Sequence, residues 1–410
     1  MAQVYGADEV NAVVLDPGAA WTRTGWAGED APSATVSSWY SYMKDDDGTI
    51  SRRQYGDDIV NMARANVEVA NPYEDGLVSD FEAAQELWNV ALASEMASLE
   101  DAPLMVTQPS WGDSSYQRQV MEYCFEKTKT PAAYLAKSAV CSLFSAGRGS
   151  GLVIDAGAQT LSITPVIDGL VLNKPSIRTK RAGNYLNTQI LAALTDLKHE
   201  IVPWYQVSKK EVVELGEPAK YTKKGIETTS SYHDLQVQRV IDDFKESLVQ
   251  VSGVPLDEKT ETPARTYEFP DGHSAEFGKE RFELGESLFR NGSDEMSDDS
   301  ENSKGVSQLV IDVINNCDVD IRANLTNNIV ITGGTSLLQG FTARINHDLQ
   351  QAFPALKIRL YAPGNMTERR NASWLGGSIL ASLGTFHQLW VSKQEWDEVG
   401  AEQIAAKRFR

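Results

Sequence analysis

Cysteine is scarce and scattered: Cys124, Cys141 and Cys317 are the three in 410 residues, and none sits in a CxxC spacing. Neither a disulfide framework nor a cysteine-built zinc site can be read from them, and a reducing compartment suits such a chain. Positive charge is short as well. Thirty-eight bases stand against 57 acids, a net charge of −19. That sign repels phosphate backbones, so strong direct nucleic-acid binding is not expected. No long basic run marks nuclear import; Ser51-Arg52-Arg53 and Lys407-Arg408-Phe409-Arg410 are too short. The first residues put no basic segment ahead of an apolar stretch, which argues against a secretory signal. The nearest thing to a membrane span is Asn371 to Ser392, uncharged and long enough to cross a bilayer. It holds Asn371, Ser373, Ser378, Ser382, Thr385, His387, Gln388 and Ser392, each costly in lipid. It reads as a helix buried in a protein core.

The chain does hold an internal echo. Val13-Val14-Leu15-Asp16-Pro17-Gly18 is an apolar strand ending in Asp-x-Gly, and Leu152-Val153-Ile154-Asp155-Ala156-Gly157 repeats it 139 residues later. Trp21 to Trp26 and Leu161 to Val166 follow as alternating segments able to return as second strands. Two such units point to a duplicated domain with a cleft between its halves. An Asp-x-Gly turn alone carries little, because Asp and Gly are turn residues in any case. A third strand end, Thr332-Gly333-Gly334-Thr335 after Asn327 to Ile331, adds glycines that let backbone approach a ligand closely.

Between these units the pattern is helical. Helices are expected over Asp80 to Met96, Ser114 to Lys127 and Tyr134 to Phe144, then over Ser208 to Leu215 and Leu235 to Val251. Thr266 to Phe277, centred on Pro270-Asp271-Gly272, reads as a hairpin, and Val254 to Pro263 as a loop. Asn291 to Ser303 carries five acids and no base and reads as a solvated surface loop, with docking of basic partners as the sharper alternative. The order of strands and helices argues for an α/β protein.

The chain resembles actin and the actin-related proteins along nearly its whole length. The resemblance is carried by Gly25-Trp26-Ala27-Gly28-Glu29-Asp30-Ala31-Pro32, Ser138 to Arg148, Cys317 to Arg322, Ile331-Thr332-Gly333-Gly334-Thr335, Trp374 to Leu383 and Ser392 to Glu398. The opening, Asp8 to Gly18, is similar to the fourth, nuclear class. That resemblance implies the actin-like ATPase fold, related to ribonuclease H, with duplicated α/β domains around a central nucleotide cleft. Residues 1–138, completed by 372–410, would form the first domain, and 139–371 the second, with insertions near 209–229 and 291–303. It implies ATP and Mg²⁺ (or Ca²⁺) as cofactors, with Asp16 and Asp155 holding the cation. The turns Gly18-Ala19-Ala20 and Gly157-Ala158 would turn their N–H groups to the phosphates. Gly183, Lys245, Glu246, Gly333, Gly334, Thr335 and Arg370 would complete the nucleotide pocket; without the resemblance, Lys245-Glu246 reads as an exposed helical pair.

Departures from actin bear on function. The family's water-positioning glutamine is matched by Ser138, its supporting histidine by Ser162, a second carboxylate by Ala158 and a phosphate-loop hydroxyl by Ala19. Binding without efficient turnover is therefore expected. Ser37 to Asp58 replaces the long loop that docks subunits in filaments, so filaments are not expected. The class implies a nuclear structural subunit of chromatin-remodelling and histone-acetyltransferase complexes. It would sit with actin on the helicase-SANT-associated helix of a scaffold subunit, with histones as further partners. The resemblance implies that a groove formed by Phe144, Gly147, Gly169, Leu170, Leu375, Ile379, Leu380, Leu383, Thr385 and Leu389 receives that helix; without the resemblance these residues read as core. The alternatives are an ATP-hydrolysing enzyme and a cytoskeletal filament subunit on the same fold.

Overall fold

Val13–Pro17 is an apolar run buried at every position, and it turns back as Trp21–Trp26 with Asp16 directly opposite Arg23. The computed structural model describes residues 11–45, 47–197, 199–257, 262–292 and 303–409. In its first large sheet, Val13–Pro17 runs parallel to Leu104–Gln108, which runs parallel to Ala132–Lys137, while Trp21–Trp26 pairs on the other side with Ala34–Ser37. The second sheet repeats the scheme. Gly151–Ala156 is antiparallel to Leu161–Ile167 and parallel to Ile329–Thr332, which is parallel to Leu360–Tyr361. The duplication expected from the two Asp-x-Gly turns is thus present in the central strands of both sheets. Val391–Ser392 returns to the first sheet beside Ala132 and Ala133.

Each half has its own apolar core. Leu15, Leu87, Trp88 and Tyr123 anchor the first; Ile154, Ile190, Phe244 and Ile331 anchor the second. The halves are joined where helix Ser138–Ser145 packs on helix Ala372–Ser382. A Cβ on Gly376 would lie 1.6 Å from the Cys141 carbonyl oxygen, so the close crossing depends on glycine there. Val14, Met105, Trp374 and Leu380 seal this junction.

Several local readings need correction. Tyr134 to Phe144 is not one helix: Ala132–Lys137 is a strand, and the helix begins at Ser138. Alternate residues of that strand enter different cores, Leu135 one and Ala136 the other. An apolar run buried on both faces shows no period to separate strand from helix. Ser208 to Leu215 is likewise not helical; Val207–Lys210 pairs with Tyr221–Lys223 in a two-stranded hairpin. The helix expected to reach Met96 spans Phe81–Ala91, with the Asp80 carboxylate accepting from the Ala83 N–H at its start. Ser114 to Lys127 splits into helix Ser114–Glu122 and a wider π turn. The helix placed at Leu235 to Val251 starts earlier, as Ser230–Leu248. The hairpin around Pro270-Asp271-Gly272 is present. The uncharged Asn371–Ser392 stretch is broken after Ser382 and packs into the junction core. Among the described residues no helix is long and apolar enough to cross a membrane. Most of the acidic insertion, residues 293–302, lies outside the described residues, as do residues 1–10.

Candidate functional site

The two sheets face each other across a cavity of about 920 Å³. Asp16, Gly18, Ala19, Ala20, Asp155, Gly157, Ala158, Gly183, Lys245, Glu246, Gly333, Gly334, Thr335 and Arg370 all line it. Residues up to 354 positions apart are brought together because the parallel strands ending near Pro17, Gln108, Ala156 and Thr332 all run out at this cavity.

The two turns are built to the same plan. Gly18 N–H donates to the Trp21 carbonyl at 3.1 Å and Gly157 N–H to the Thr160 carbonyl at 3.0 Å. The glycine N–H groups, expected to face phosphates, are therefore spent inside the turns. The next amides are the available ones. In the first turn the Gly18 carbonyl accepts from Ser38 Oγ, and the Ala19 carbonyl from Asn71 Nδ2. In the second, the Gly157 carbonyl accepts from Thr335 Oγ1, and the Ala158 carbonyl from the Asn184 N–H. A trans peptide sets its N–H opposite its C=O, so anchoring these carbonyls turns the N–H groups of Ala19, Ala20, Ala158 and Gln159 away from the anchors. None of the four has a backbone acceptor among the described residues. Paired N–H groups of this kind suit an anion.

The carboxylates differ. Asp16 Oδ2 is 3.3 Å from Arg23 Nη1, and its Oδ1 accepts from Thr107 Oγ1 at 2.5 Å. Asp155 is pushed up to about 6 by burial first and by the Asp16 charge second, with Arg23 opposing. Thr332, its neighbour in the second sheet, donates instead to the Arg369 carbonyl. Gly333 sits at φ +88, where a Cβ would come within 2.3 Å of the Ala156 carbonyl oxygen and 2.7 Å of Asp155 Oδ1. Gly183 similarly seats the second turn against Thr335.

At the far end, Lys245 Nζ donates to Asn187 Oδ1 and Asp242 Oδ1, both at 2.7 Å, and Glu246 pairs with Arg370 at 3.3 Å. Lys245 is thus a tethered wall residue, whereas Glu246 stands at the exposed rim. Ser138 and Ser162 line the cavity as well.

Arg23, Gln108 and Trp111 also line the cavity, and the sequence reading misses all three. Gln108 is 1% exposed, yet neither of its amide atoms has a partner among the described residues. Arg23 Nε and Trp111 Nε1 are unpartnered too. Orphaned buried polar atoms around one cavity fit a polar ligand that supplies their partners. Arg23 has a legible signal, as the base on the return strand opposite Asp16; Gln108 and Trp111 have none. Among the described residues no cluster of three or more His, Cys, Asp or Glu could hold a metal ion. Asp16 and Asp155 are hard oxygen donors that can hold a divalent cation only with oxygens from water or a ligand.

The helix-groove candidates are only partly gathered on a surface. Leu170, Leu383 and Leu389 are exposed, while Phe144, Leu375 and Ile379 are half-buried. Leu380 is 7% exposed and belongs to the junction core, so it is no rim residue. Leu383 lies beyond the helix end with extended backbone, which separates it from the face of Ile379. Gly147 and Gly169 both have positive φ, and a Cβ at either would meet open space.

A family model described as actin matches residues 7–409. "Actin-related protein 4" of Yarrowia lipolytica is 43% identical, covering 99% of this chain and 98% of that protein. "Actin-related protein 4" of Schizosaccharomyces pombe is 37% identical over 98% and 97%. A second S. pombe protein, "SWI/SNF and RSC complexes subunit arp42", is 36% identical over 97% and 98%. Mixed sheets repeated about one cleft, the anchored Asp-x-Gly turns and near-complete coverage agree. The chain belongs to the actin family and, within it, stands with the fourth class of actin-related proteins.

Proposed function

We propose that this protein binds ATP with Mg²⁺ (or Ca²⁺) without turning it over efficiently, and serves as a non-filamentous structural subunit of nuclear chromatin-remodelling and histone-acetyltransferase complexes. The observation that carries the nucleotide reading is the pairing of two anchored turns, whose free N–H groups belong to Ala19, Ala20, Ala158 and Gln159, with Asp16 and Asp155 in the same cavity. The cation, when bound, supplies neutralising charge for the phosphates. Asp16 and Asp155 would hold it, Arg23 would add a guanidinium on the phosphate side, and Gly333-Gly334, Lys245, Glu246 and Arg370 would face the adenosine.

Poor turnover is supported by what the cavity offers as a base. Ser138, Ser162 and Ala158 stand where the family carries a glutamine, a histidine and a carboxylate, and serine is a weak base at neutral pH. The chromatin role is supported by a relative named as a subunit of SWI/SNF and RSC complexes. Docking beside actin on a helicase-SANT-associated helix would use exposed Leu170, Leu383 and Leu389 rather than Leu380, and histones are further candidate partners.

The test is purification, denaturation and identification of the released nucleotide, followed by multiple-turnover phosphate release and sedimentation in salt and Mg²⁺. ATP at ~100 times its dissociation constant should stabilise the fold by about 2.7 kcal/mol. Absence of bound nucleotide would overturn the first half; phosphate release at an actin-like rate, or sedimenting polymer, would overturn the second.

A further inference from the structure

The whole chain has a net charge of −19, yet one exposed part of it has the opposite sign: residues 207–224 hold five lysines against three glutamates. Strand Val207–Lys210 turns back there as strand Tyr221–Lys223, in a sheet of two strands. A hairpin of that size does not hold its shape unaided, and this one is fastened along its length. At its base the Lys224 N–H donates to the Gln206 carbonyl at 2.7 Å, and beyond the strands the Glu211 N–H donates to the Lys220 carbonyl at 2.9 Å. Nearer the tip, the Gly216 N–H donates to the Ser274 carbonyl and His273 Nδ1 to the Glu217 carbonyl, both at 2.9 Å. Lys210 pairs with Glu268 at 2.5 Å. The neighbouring hairpin of Arg265–Glu268 and Ser274–Phe277 thus lies against the Val207–Lys210 side, where a Cβ on Gly272 would come within 3.3 Å of the Glu211 carbonyl oxygen.

The other side of the arm is open. The bonds from Glu211 to Lys220 and from Lys224 to Gln206 turn the even-numbered residues of the return strand inward, so the N–H and C=O groups of Tyr221 and Lys223 point outward. Among the described residues no strand pairs with that edge. Lys209, Lys220, Lys223 and Lys224 are exposed and, among the described residues, in no ion pair, although acids outnumber bases over the whole chain. Apolar side chains stand in water beside them: Val212 is fully exposed, and Trp204, Leu215 and Ile226 are exposed as well. Edge lysines keep like strands apart. Exposed Val212 and Leu215 do not serve that end, and unpaired lysines attract an acidic strand as surely as they repel a basic one.

We infer that this arm is a docking site for an extended, acidic segment of a partner protein, which adds as a third strand along Tyr221–Lys223 with its carboxylates on the lysines and its apolar residues against the exposed side chains of the arm. Nucleic acid would meet the lysines but leave those apolar side chains in water, and the negative surface around the arm repels it. The inference is independent of the nucleotide reading, and the partner it calls for is opposite in charge to a histone.

The probe is a fluorescein-labelled dodecapeptide that alternates glutamate with valine, titrated by anisotropy with the full chain at low salt. The wild type should bind it, and Lys223→Glu with Lys224→Glu should weaken binding about tenfold, by less as salt rises. Both side chains are exposed and unpaired, so the thermal midpoint should stay at the wild-type value. Lys223→Gln removes charge alone, whereas Lys223→Pro also removes the outward N–H, a change that an edge position tolerates; the proline should weaken binding about threefold more than the glutamine. Val212→Ser with Leu215→Ser should weaken it about threefold. Lys127→Glu with Lys174→Glu, two exposed lysines outside the arm, sets the loss due to net charge. A wild type that does not bind the peptide, equal losses from the two lysine pairs, or equal binding by the glutamine and proline variants overturns the inference. Tighter binding of a single-stranded DNA of the same length overturns the choice of an acidic peptide in favour of a polyanion.

Discussion

Asp16 and Asp155 occupy the same place in two sheets of the same topology, yet their surroundings differ in kind. Across the hairpin, Asp16 faces Arg23 and Asp155 faces Ser162. On the parallel side each is neighboured by a threonine; Thr107 donates to Asp16, while Thr332 is diverted to the Arg369 carbonyl. One step beyond, the first sheet carries the buried, unpartnered Gln108, and the second carries Gly333 pressed against Ala156 and Asp155. Duplication has preserved backbone and register, whereas single cross-strand residues decide how each carboxylate is compensated. The first is held by protein groups, and ionising the second carries a burial cost that an external cation could offset.

The sharpest way to break this comparison is at its tightest contact. Gly333→Val should cost about 4 kcal/mol in denaturant titrations and abolish nucleotide binding, since both the positive φ and the 2.3 Å approach forbid a Cβ. Asp16→Asn should come next, at about 3 kcal/mol, because it leaves the Arg23 guanidinium buried without its anion. The corresponding change at the other carboxylate should act in the opposite direction. Asp155 titrates near 6 in the fold against an ordinary 3.8. The folded state therefore holds the proton more tightly, and the stability this gives is full below about pH 4 and lost as pH rises through 6. Thermal melts of the nucleotide-free protein should favour pH 4.5 over pH 7 through this group by about 2 kcal/mol, and Asp155→Asn should flatten that difference.

Smaller changes sharpen the contrast. Thr107→Val should lose about 2 kcal/mol by removing a donor to a charged acceptor, while Thr332→Val should lose only about 1 kcal/mol from a neutral bond. Equal losses would mean that Asp16 does not depend on Thr107. The least effect on stability is expected from Gln108→Ala, whose amide has no partner to lose. Its effect should appear in calorimetric titration with ATP as an affinity roughly tenfold weaker, the scale of one hydrogen bond to a charged group.

Local sequence carries more of the site than of the fold around it. The Asp-x-Gly turns, Gly333-Gly334 and even Lys245-Glu246 are legible because a duplicated pattern and a family resemblance mark them, and all of them line the same cavity. The strand Ala132–Lys137 is hidden by burial on both faces. The hairpin Val207–Lys210 with Tyr221–Lys223 is hidden because its pairing spans ten residues of intervening chain and its residues lie largely exposed. For Leu380 the local pattern and the resemblance point different ways: hydrophobicity in a helix marks that a side chain seeks cover, and only the neighbouring Trp374 and Val14 say that the core covers it.

The sequence alone determined that the chain is a duplicated α/β protein of the actin family, because strand ends, glycine turns and charge excess are local properties that each residue carries with it. Tertiary structure alone decided which amides are free to meet an anion and which carboxylate is already paired. Those depend on carbonyl anchors such as Ser38, Asn71 and Thr335, the last reaching the Gly157 carbonyl from 178 positions away. Such distances along the chain carry no pattern that a local reading can detect, and only packing brings the groups within hydrogen-bonding reach.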